Sequence, residues 1–124
     1  MAPWQPRAAI CLHEDYDAQG LYAYELNRHP RHHIAEHCLK HAERFLSRDP
    51  RRVIEGRAAR HAIIRPRRIP MFGNLPEAVA LYHAGTSCTL TFETPSEHSL
   101  ATRTLAHTRL VEAACKYFKD PVIP

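Results

Sequence analysis

The chain has 124 residues, of which 44% are apolar and 24% charged, so it fits a single globular domain with an ordinary core. Its net charge is +4, but the arginines crowd into residues 51–68 without interleaved aromatic side chains, which argues against nucleic-acid binding. No run approaches the ~18 apolar residues of a membrane span, and no secretory signal follows Met1. We therefore expect a cytoplasmic protein that binds neither nucleic acid nor membrane.

The first part of the chain predicts two strands and a helix. Residues 8–12 form an unbroken apolar run, typical of a strand buried on both faces of a parallel sheet. Apolar and polar residues alternate over residues 21–26 well enough to predict a second strand. Helical spacing then runs from Pro30, a first-turn position, to about Ser47. The residues expected to face the core are Ile34, Ala35, Cys38, Leu39, Ala42, Phe45 and Leu46.

The remainder predicts short strands and two more helices. Residues 53–54 and 62–64 are short-strand segments around a turn at Gly56. A helix is expected between a capping Asn74 and a terminating Gly85. Residues 88–93 alternate as a strand, and a last helix is expected over residues 99–118. Its apolar stripe comprises Leu100, Leu105, Leu110, Ala113, Ala114 and Tyr117. Alternating strands and helices predict an α/β fold.

Four cysteines lie far apart in apolar surroundings and form no CxxC pair. They are Cys11, Cys38, Cys88 and Cys115. The expectation is buried, reduced thiols, which suits a reducing compartment.

Histidines concentrate on the first predicted helix. Residues 33–37 spell HxxEH, the pattern of an inverted zincin, and His33, His37 and His41 share one helix face. That face lies opposite the apolar stripe. Solvent-exposed histidines are therefore the favoured interpretation, and a metal site on this helix is the alternative.

Two polar residues end predicted strands. His13 follows the first apolar run and precedes Glu14 and Asp15, and Glu93 closes the strand at residues 88–93. In open α/β sheets, ligands bind at the carboxyl ends of the strands. One edge of the sheet is therefore expected to hold both side chains, although position alone leaves open whether either is functional.

Two segments resemble a known family. Residues 10–26, ICLHEDYDAQGLYAYEL, resemble the later zinc-histidine segment of the zinc carboxypeptidases (peptidase family M14), in bacterial branches of that family. Residues 89–96, TLTFETPS, and the long helix after them are similar to its catalytic-glutamate strand and last helix. The resemblance implies a partial three-layer α/β/α sandwich with a mixed, mostly parallel sheet. It also implies that residues 1–124 are the C-terminal portion of a single such domain.

The resemblance implies a hydrolase of C-terminal peptide or related amide bonds that uses zinc-activated water. His13 would be a zinc ligand and Glu93 the general base, while Glu14 or Asp15 would hydrogen-bond around His13. The family's other two zinc ligands come from an HxxE motif well upstream, and neither His nor Glu precedes His13. We therefore expect a truncated domain, inactive alone. Tyr82 is a candidate for the family's mobile tyrosine, and the substrate-binding residues stay unassigned.

A second hypothesis is a non-catalytic binding or assembly module. Its contact surface would be the basic stretch of residues 51–68. Half a sheet leaves an unpaired strand edge that invites a partner chain or a second copy. Self-association through the incomplete sheet is therefore compatible with either hypothesis.

Overall fold

The computed structural model describes residues 6–71 and 73–119, which contain six strands and three helices. In chain order they are β1 (Ala8–Asp15), β2 (Tyr22–Asn27), α1 (Ile34–Ala42), β3 (Val53–Ile54), β4 (Arg57–Ala58), β5 (Ile63–Ile64), α2 (Glu77–His83), β6 (Cys88–Pro95) and α3 (Leu100–Lys119). The predicted α/β class is confirmed. The sequence pattern missed only β4.

The main sheet has the strand order β1-β6-β2-β5. Strand β6 runs parallel to β1 and antiparallel to β2, and β2 runs parallel to β5, so the sheet is mixed and mostly parallel as predicted. Strands β3 and β4 form a separate antiparallel hairpin. Because β6 lies between two strands and under helices, all eight of its residues are buried.

Helices cover both faces of this sheet, which confirms the predicted partial three-layer sandwich. Helices α1 and α3 pack together on one face, where Leu90 and Phe92 of β6 join the main hydrophobic core. The opposite face carries Thr91 and Glu93 of the same strand and contacts α2. The alternation of residues along β6 therefore separates a structural face from the face that holds the candidate site.

Strand β1 differs from the prediction. It extends to Asp15 and lies at one end of the strand order, paired among the described strands with β6 alone. Helices cover this outer strand only in part, and the Leu12 side chain is consequently 47% exposed instead of buried. His13 therefore lies within the strand, not after it.

Helix α1 is shorter than the prediction. It begins at Ile34 instead of near Pro30, and it ends at Ala42. The backbone N–H groups of Ile34 and Ala35 donate hydrogen bonds to the Glu25 carboxylate at 3.2 and 3.4 Å. This carboxylate satisfies the first-turn donors and complements the positive end of the helix dipole, which sets where the helix begins.

Three residues predicted for the core are exposed. Phe45 lies beyond the end of α1 and is 37% exposed, while Leu100 in the first turn of α3 is 68% exposed and Leu105 is 36% exposed. The Phe45 ring is flanked by the guanidinium groups of Arg44 and Arg109. The other residues of both predicted stripes are buried as expected.

Helix α2 begins at Glu77, and Pro76 occupies the position before it without a side-chain cap. The expected cap at Asn74 is therefore wrong. Gly85 has a φ of +111° just past the end of α2, in agreement with its predicted role as a helix stop.

The cysteine prediction holds for three thiols and fails for one. Cys11, Cys38 and Cys88 are buried, and Cys115 is exposed on α3. Burial raises the pKa of Cys11 to about 11 and the pKa values of Cys38 and Cys88 to about 12.

We therefore expect one fast-reacting thiol in the native protein. Iodoacetamide at pH 8 should modify Cys115 rapidly and the three buried thiols only after denaturation, because thiolate and access are both required. Peptide mapping by mass spectrometry measures this. The Cys115→Ser variant should show no fast phase, and equally rapid native labelling of Cys38 would contradict the prediction.

Candidate active site

His13 and Glu93 are direct neighbours across the sheet. The parallel register of β1 and β6 pairs the two residues, and their side chains share the face toward α2. His13 Nδ1 lies 3.4 Å from Glu93 Oε2. The structure thus brings together the two residues that the sequence singled out, although their chemical roles remain predictions.

Glu77, the first residue of α2, is a third member of this group that sequence reasoning missed. His13 Nε2 lies 2.7 Å from Glu77 Oε1, so each ring nitrogen of the histidine faces a carboxylate. The hydrogen bond to Glu77 is the main cause of a raised His13 pKa, and the same bond lowers the pKa of Glu77. Only the packing of α2 over β1 creates this contact. An acidic residue in a predicted first helical turn was the one sequence signal.

Glu93 is a buried carboxylate whose residue is only 6% exposed. Burial raises its pKa to about 7, the charges of Glu55 and Asp15 act in the same direction, and His13 opposes them. A carboxylate that titrates near neutrality is suited to accept a proton and later return it.

Tyr22 anchors the neighbouring strand on the same face. It pairs with Glu93 in the β2–β6 register. Its hydroxyl lies 2.5 Å from Asp15 Oδ2 and 2.6 Å from Glu55 Oε1. Burial is the largest cause of a raised Tyr22 pKa, and the two carboxylates add to it, so the hydroxyl stays protonated. Asp15 is therefore bound to Tyr22.

The expected supporting role of Glu14 and Asp15 around His13 is not what the structure shows. Glu14 forms an ion pair with Arg103 of α3, and Asp15 is bound by Tyr22. The partners of the His13 ring are instead carboxylates from β6 and α2. The alternation of β1 turns Glu14 to the opposite face of the sheet, whereas Asp15 shares the face of His13 and is bound by Tyr22 instead.

A cavity of about 280 Å³ opens beside these residues. Its walls are largely aliphatic and proline side chains, with Tyr24 and Thr91 at the sheet and Arg57 and Arg68 among the lining residues. Tyr82, the candidate for a mobile tyrosine, does not line it. That ring lies 3.9 Å from the guanidinium of Arg28.

The described residues fit one corner of a zinc site and not a complete one. The His13 side chain is 45% exposed at the rim of the cavity, and an imidazole nitrogen is a common zinc donor. Within residues 6–71 and 73–119, however, no group of three or more His, Cys, Asp or Glu side chains is arranged to hold a metal ion. This portion of the chain therefore supplies at most part of a ligand set.

The HxxEH residues do not converge on a common point. His33 precedes α1, and its Nδ1 lies 3.3 Å from the guanidinium of Arg65. Glu36 is held by Arg48 at 2.5 Å. The half-buried ring of His37 packs against a tyrosine of α3, and burial lowers its pKa. The geometry offers no support for an inverted-zincin site.

Part of the basic stretch at residues 51–68 serves the fold. Arg51 pairs with buried Asp49 at 2.7 Å, and Arg65 pairs with buried Glu25 at 2.7 Å. These arginines are not available as a continuous contact surface. Among the described residues, no helix is both long and apolar enough to cross a membrane.

No protein-family model matches the sequence, and neither does any curated protein. Solved structures do resemble this fold. Crystal structures from Shewanella amazonensis SB2B, Shewanella denitrificans OS217 and Shewanella baltica OS155, each described as a "putative metallopeptidase", superpose with TM-scores of 0.76, 0.74 and 0.75. Their sequence identities to this chain are 15%, 13% and 14%.

The alignments cover 93%, 91% and 89% of this chain. They cover only 41%, 41% and 40% of the three solved chains. The chain therefore shares the fold of these structures and spans about two fifths of their length.

Proposed function

We propose that this chain is the C-terminal part of a zinc-dependent hydrolase of the zinc carboxypeptidase family, acting on C-terminal peptide or related small amide bonds in the cytoplasm. The observation that carries the proposal is the pairing of His13 with Glu93 on adjacent parallel strands, beside a cavity, in a fold shared with proteins described as metallopeptidases. The residues quoted for the family resemblance include both members of this pair.

In the proposed reaction the residues of this chain hold a metal and move a proton. His13 supplies one imidazole ligand at the rim of the cavity. Zinc, when bound, lowers the pKa of a coordinated water to about 7. Glu93 takes a proton from the attacking water and returns it to the leaving amine, a role for which a pKa of about 7 is suited. Because Glu93 is buried, bulk water has little access to its carboxylate.

Further zinc ligands are proposed to come from a part of the protein that precedes this segment. Two observations support this. The structures that share the fold are more than twice as long as the aligned segment. In addition, β1 lies at the outer end of the described sheet, where its free edge has hydrogen-bonding groups to offer another strand. In the absence of such a strand, this edge would favour self-association.

A zinc titration of the 124-residue chain tests the proposal. We expect weak zinc binding at His13 and no measurable hydrolysis of N-acyl dipeptides. The imidazole ¹⁵N resonances of His13 measure the binding. His13→Ala should remove this binding, while the His33→Ala/His37→Ala double variant should leave it unchanged. In a longer protein that carries the upstream HxxE motif, Glu93→Gln should lower kcat by about 10²–10⁴-fold, the usual contribution of a general base.

Other results would overturn the proposal. Stoichiometric zinc binding that survives His13→Ala would show that the metal binds at another site. Tight binding that depends on His13 would show that this segment already holds a complete ligand set. Full activity of Glu93→Gln in the longer protein would remove the proposed base.

A further inference from the structure

We infer that the cavity beside His13 and Glu93 selects a substrate with an anionic side chain, such as an acidic residue at the cleaved end of a peptide, and that Arg57 and Arg68 bind that anion. This inference rests on the proposed function and names its substrate class. The charges that line the cavity carry it.

The charged groups in the cavity differ in whether they have partners. Among the carboxylates, Glu77 is bonded to His13, Glu93 lies 3.4 Å from the same ring, and Glu55 accepts a hydrogen bond from the Tyr22 hydroxyl. Arg57 and Arg68 line the same cavity, and neither side chain forms an ion pair or hydrogen bond within residues 6–71 and 73–119. The cavity therefore holds two arginine side chains without such partners beside three carboxylates that each have one, so the arginines are the groups available to an anionic ligand.

The hairpin that carries Arg57 has a geometry that the sequence does not adopt freely. Glu55 and Gly56 form its two-residue turn with φ values of +52° and +73°. A glutamate rarely takes a positive φ, and such turns normally contain Asn, Asp or Gly. The hydrogen bond between Glu55 and Tyr22 holds the turn against the sheet. Arg57, the next residue, is thereby placed at the wall of the cavity.

The size and walls of the cavity limit the ligand. Its volume of about 280 Å³ is just below the usual ~300–1,000 Å³ of small-molecule pockets, so it admits a group of about one amino-acid residue. Its walls include Leu26, Ile69 and Val79, which suit the methylene stem of a side chain. A glutamate-like side chain combines such a stem with a carboxylate that guanidinium groups bind in planar geometry.

Binding to the 124-residue chain tests the inference without zinc or catalysis. The probes are N-acetyl-L-glutamate and its neutral isostere N-acetyl-L-glutamine, which share the α-carboxylate, so their difference reports the side chain alone. We expect the glutamate probe to bind at least about tenfold more tightly, as a charge-assisted contact provides. In the Arg57→Gln/Arg68→Gln variant this preference should fall below about twofold.

Arg31→Gln is the matched control, because it removes the same charge from an exposed loop outside the cavity. It should keep the tenfold preference. Equal binding of both probes, binding of neither, or an equal loss in Arg31→Gln would each overturn the inference. Failure of the proposed function has a different signature: the glutamate preference persists, but a longer protein with the upstream motif hydrolyses no substrate. Preferred hydrolysis of neutral substrates would overturn this inference alone.

Discussion

Replacing Glu25 by alanine is expected to lower the free energy of unfolding by about 2–4 kcal/mol, because two buried backbone N–H donors lose their acceptor at a cost of about 1–3 kcal/mol each. The Glu25 side chain is fully buried, and Oε1 accepts hydrogen bonds from Arg65 Nε at 2.9 Å and Nη2 at 2.7 Å. The second oxygen accepts the N–H groups of Ile34 and Ala35 and the Asn27 amide. Urea unfolding followed by circular dichroism measures the loss.

Several groups lose their partner at once in this variant, which is why the expected effect is large. The first N–H groups of α1 are left at a site with little access to water, whereas the Arg65 guanidinium is 37% exposed and can be hydrated. The first turn of α1 should fray, and the amides of Ile34 and Ala35 should exchange hydrogen faster than those of Leu39.

Glu43→Ala provides the comparison. Glu43 also forms an ion pair with an arginine, Arg48, at 2.6 Å, but its side chain is 44% exposed. Exposed pairs contribute about 0–1 kcal/mol, and Arg48 keeps its second partner, Glu36. Equal losses in Glu25→Ala and Glu43→Ala would contradict the assignment of Glu25 as a buried structural anion.

The sequence predicted those features that depend on local patterns. Strand β6 and helix α3 were placed to within two residues, because alternation and helical spacing are encoded in neighbouring residues. The prediction that β1 is buried on both faces was wrong, because an apolar run does not show whether its strand is central or at the edge of the sheet. The prediction that Phe45 is buried was also wrong, because the helical spacing of apolar residues continues past the residue where α1 ends.

The candidate site was predictable in its two strand residues and not in its surroundings. His13 and Glu93 were identified by their place near strand ends and by family resemblance. The parallel register that joins them depends on which strands become neighbours, and that is decided by the packing of the whole chain. Glu77 and Arg57 reach the cavity from a helix and a hairpin that are distant in sequence. No local pattern encodes such contacts.

Replacing Glu93 by glutamine is expected to stabilise the protein above neutral pH by about 3–4 kcal/mol and to change little at pH 4. In the unfolded chain the carboxyl ionises near its ordinary pKa of 4.5, whereas the folded pKa is about 7. Between these values the unfolded state binds fewer protons than the folded state, so unfolding becomes easier as pH rises. At about 1.4 kcal/mol per pKa unit, the pKa difference of about 2.5 corresponds to about 3.5 kcal/mol, and the effect is nearly constant above pH 8.

The other titrating group at the site is His13, and Glu93 is one cause of its raised pKa, so the difference between Glu93→Gln and the parent chain includes the loss of this coupling. The raised pKa of His13 also stabilises the fold at low pH, and that contribution disappears as pH rises through the raised value in the parent chain. Glu97→Gln removes an equal charge from the exposed loop after β6 and should show no pH-dependent gain. Urea unfolding at pH 4, 6 and 8 makes the comparison.

A residue retained despite such a cost is typical of a functional site, where stability is given up for reactivity. A Glu93→Gln variant that is less stable at pH 8 than at pH 4, relative to the parent, would mean that the buried carboxylate is stabilised as an anion and is no proton-transfer group at neutral pH.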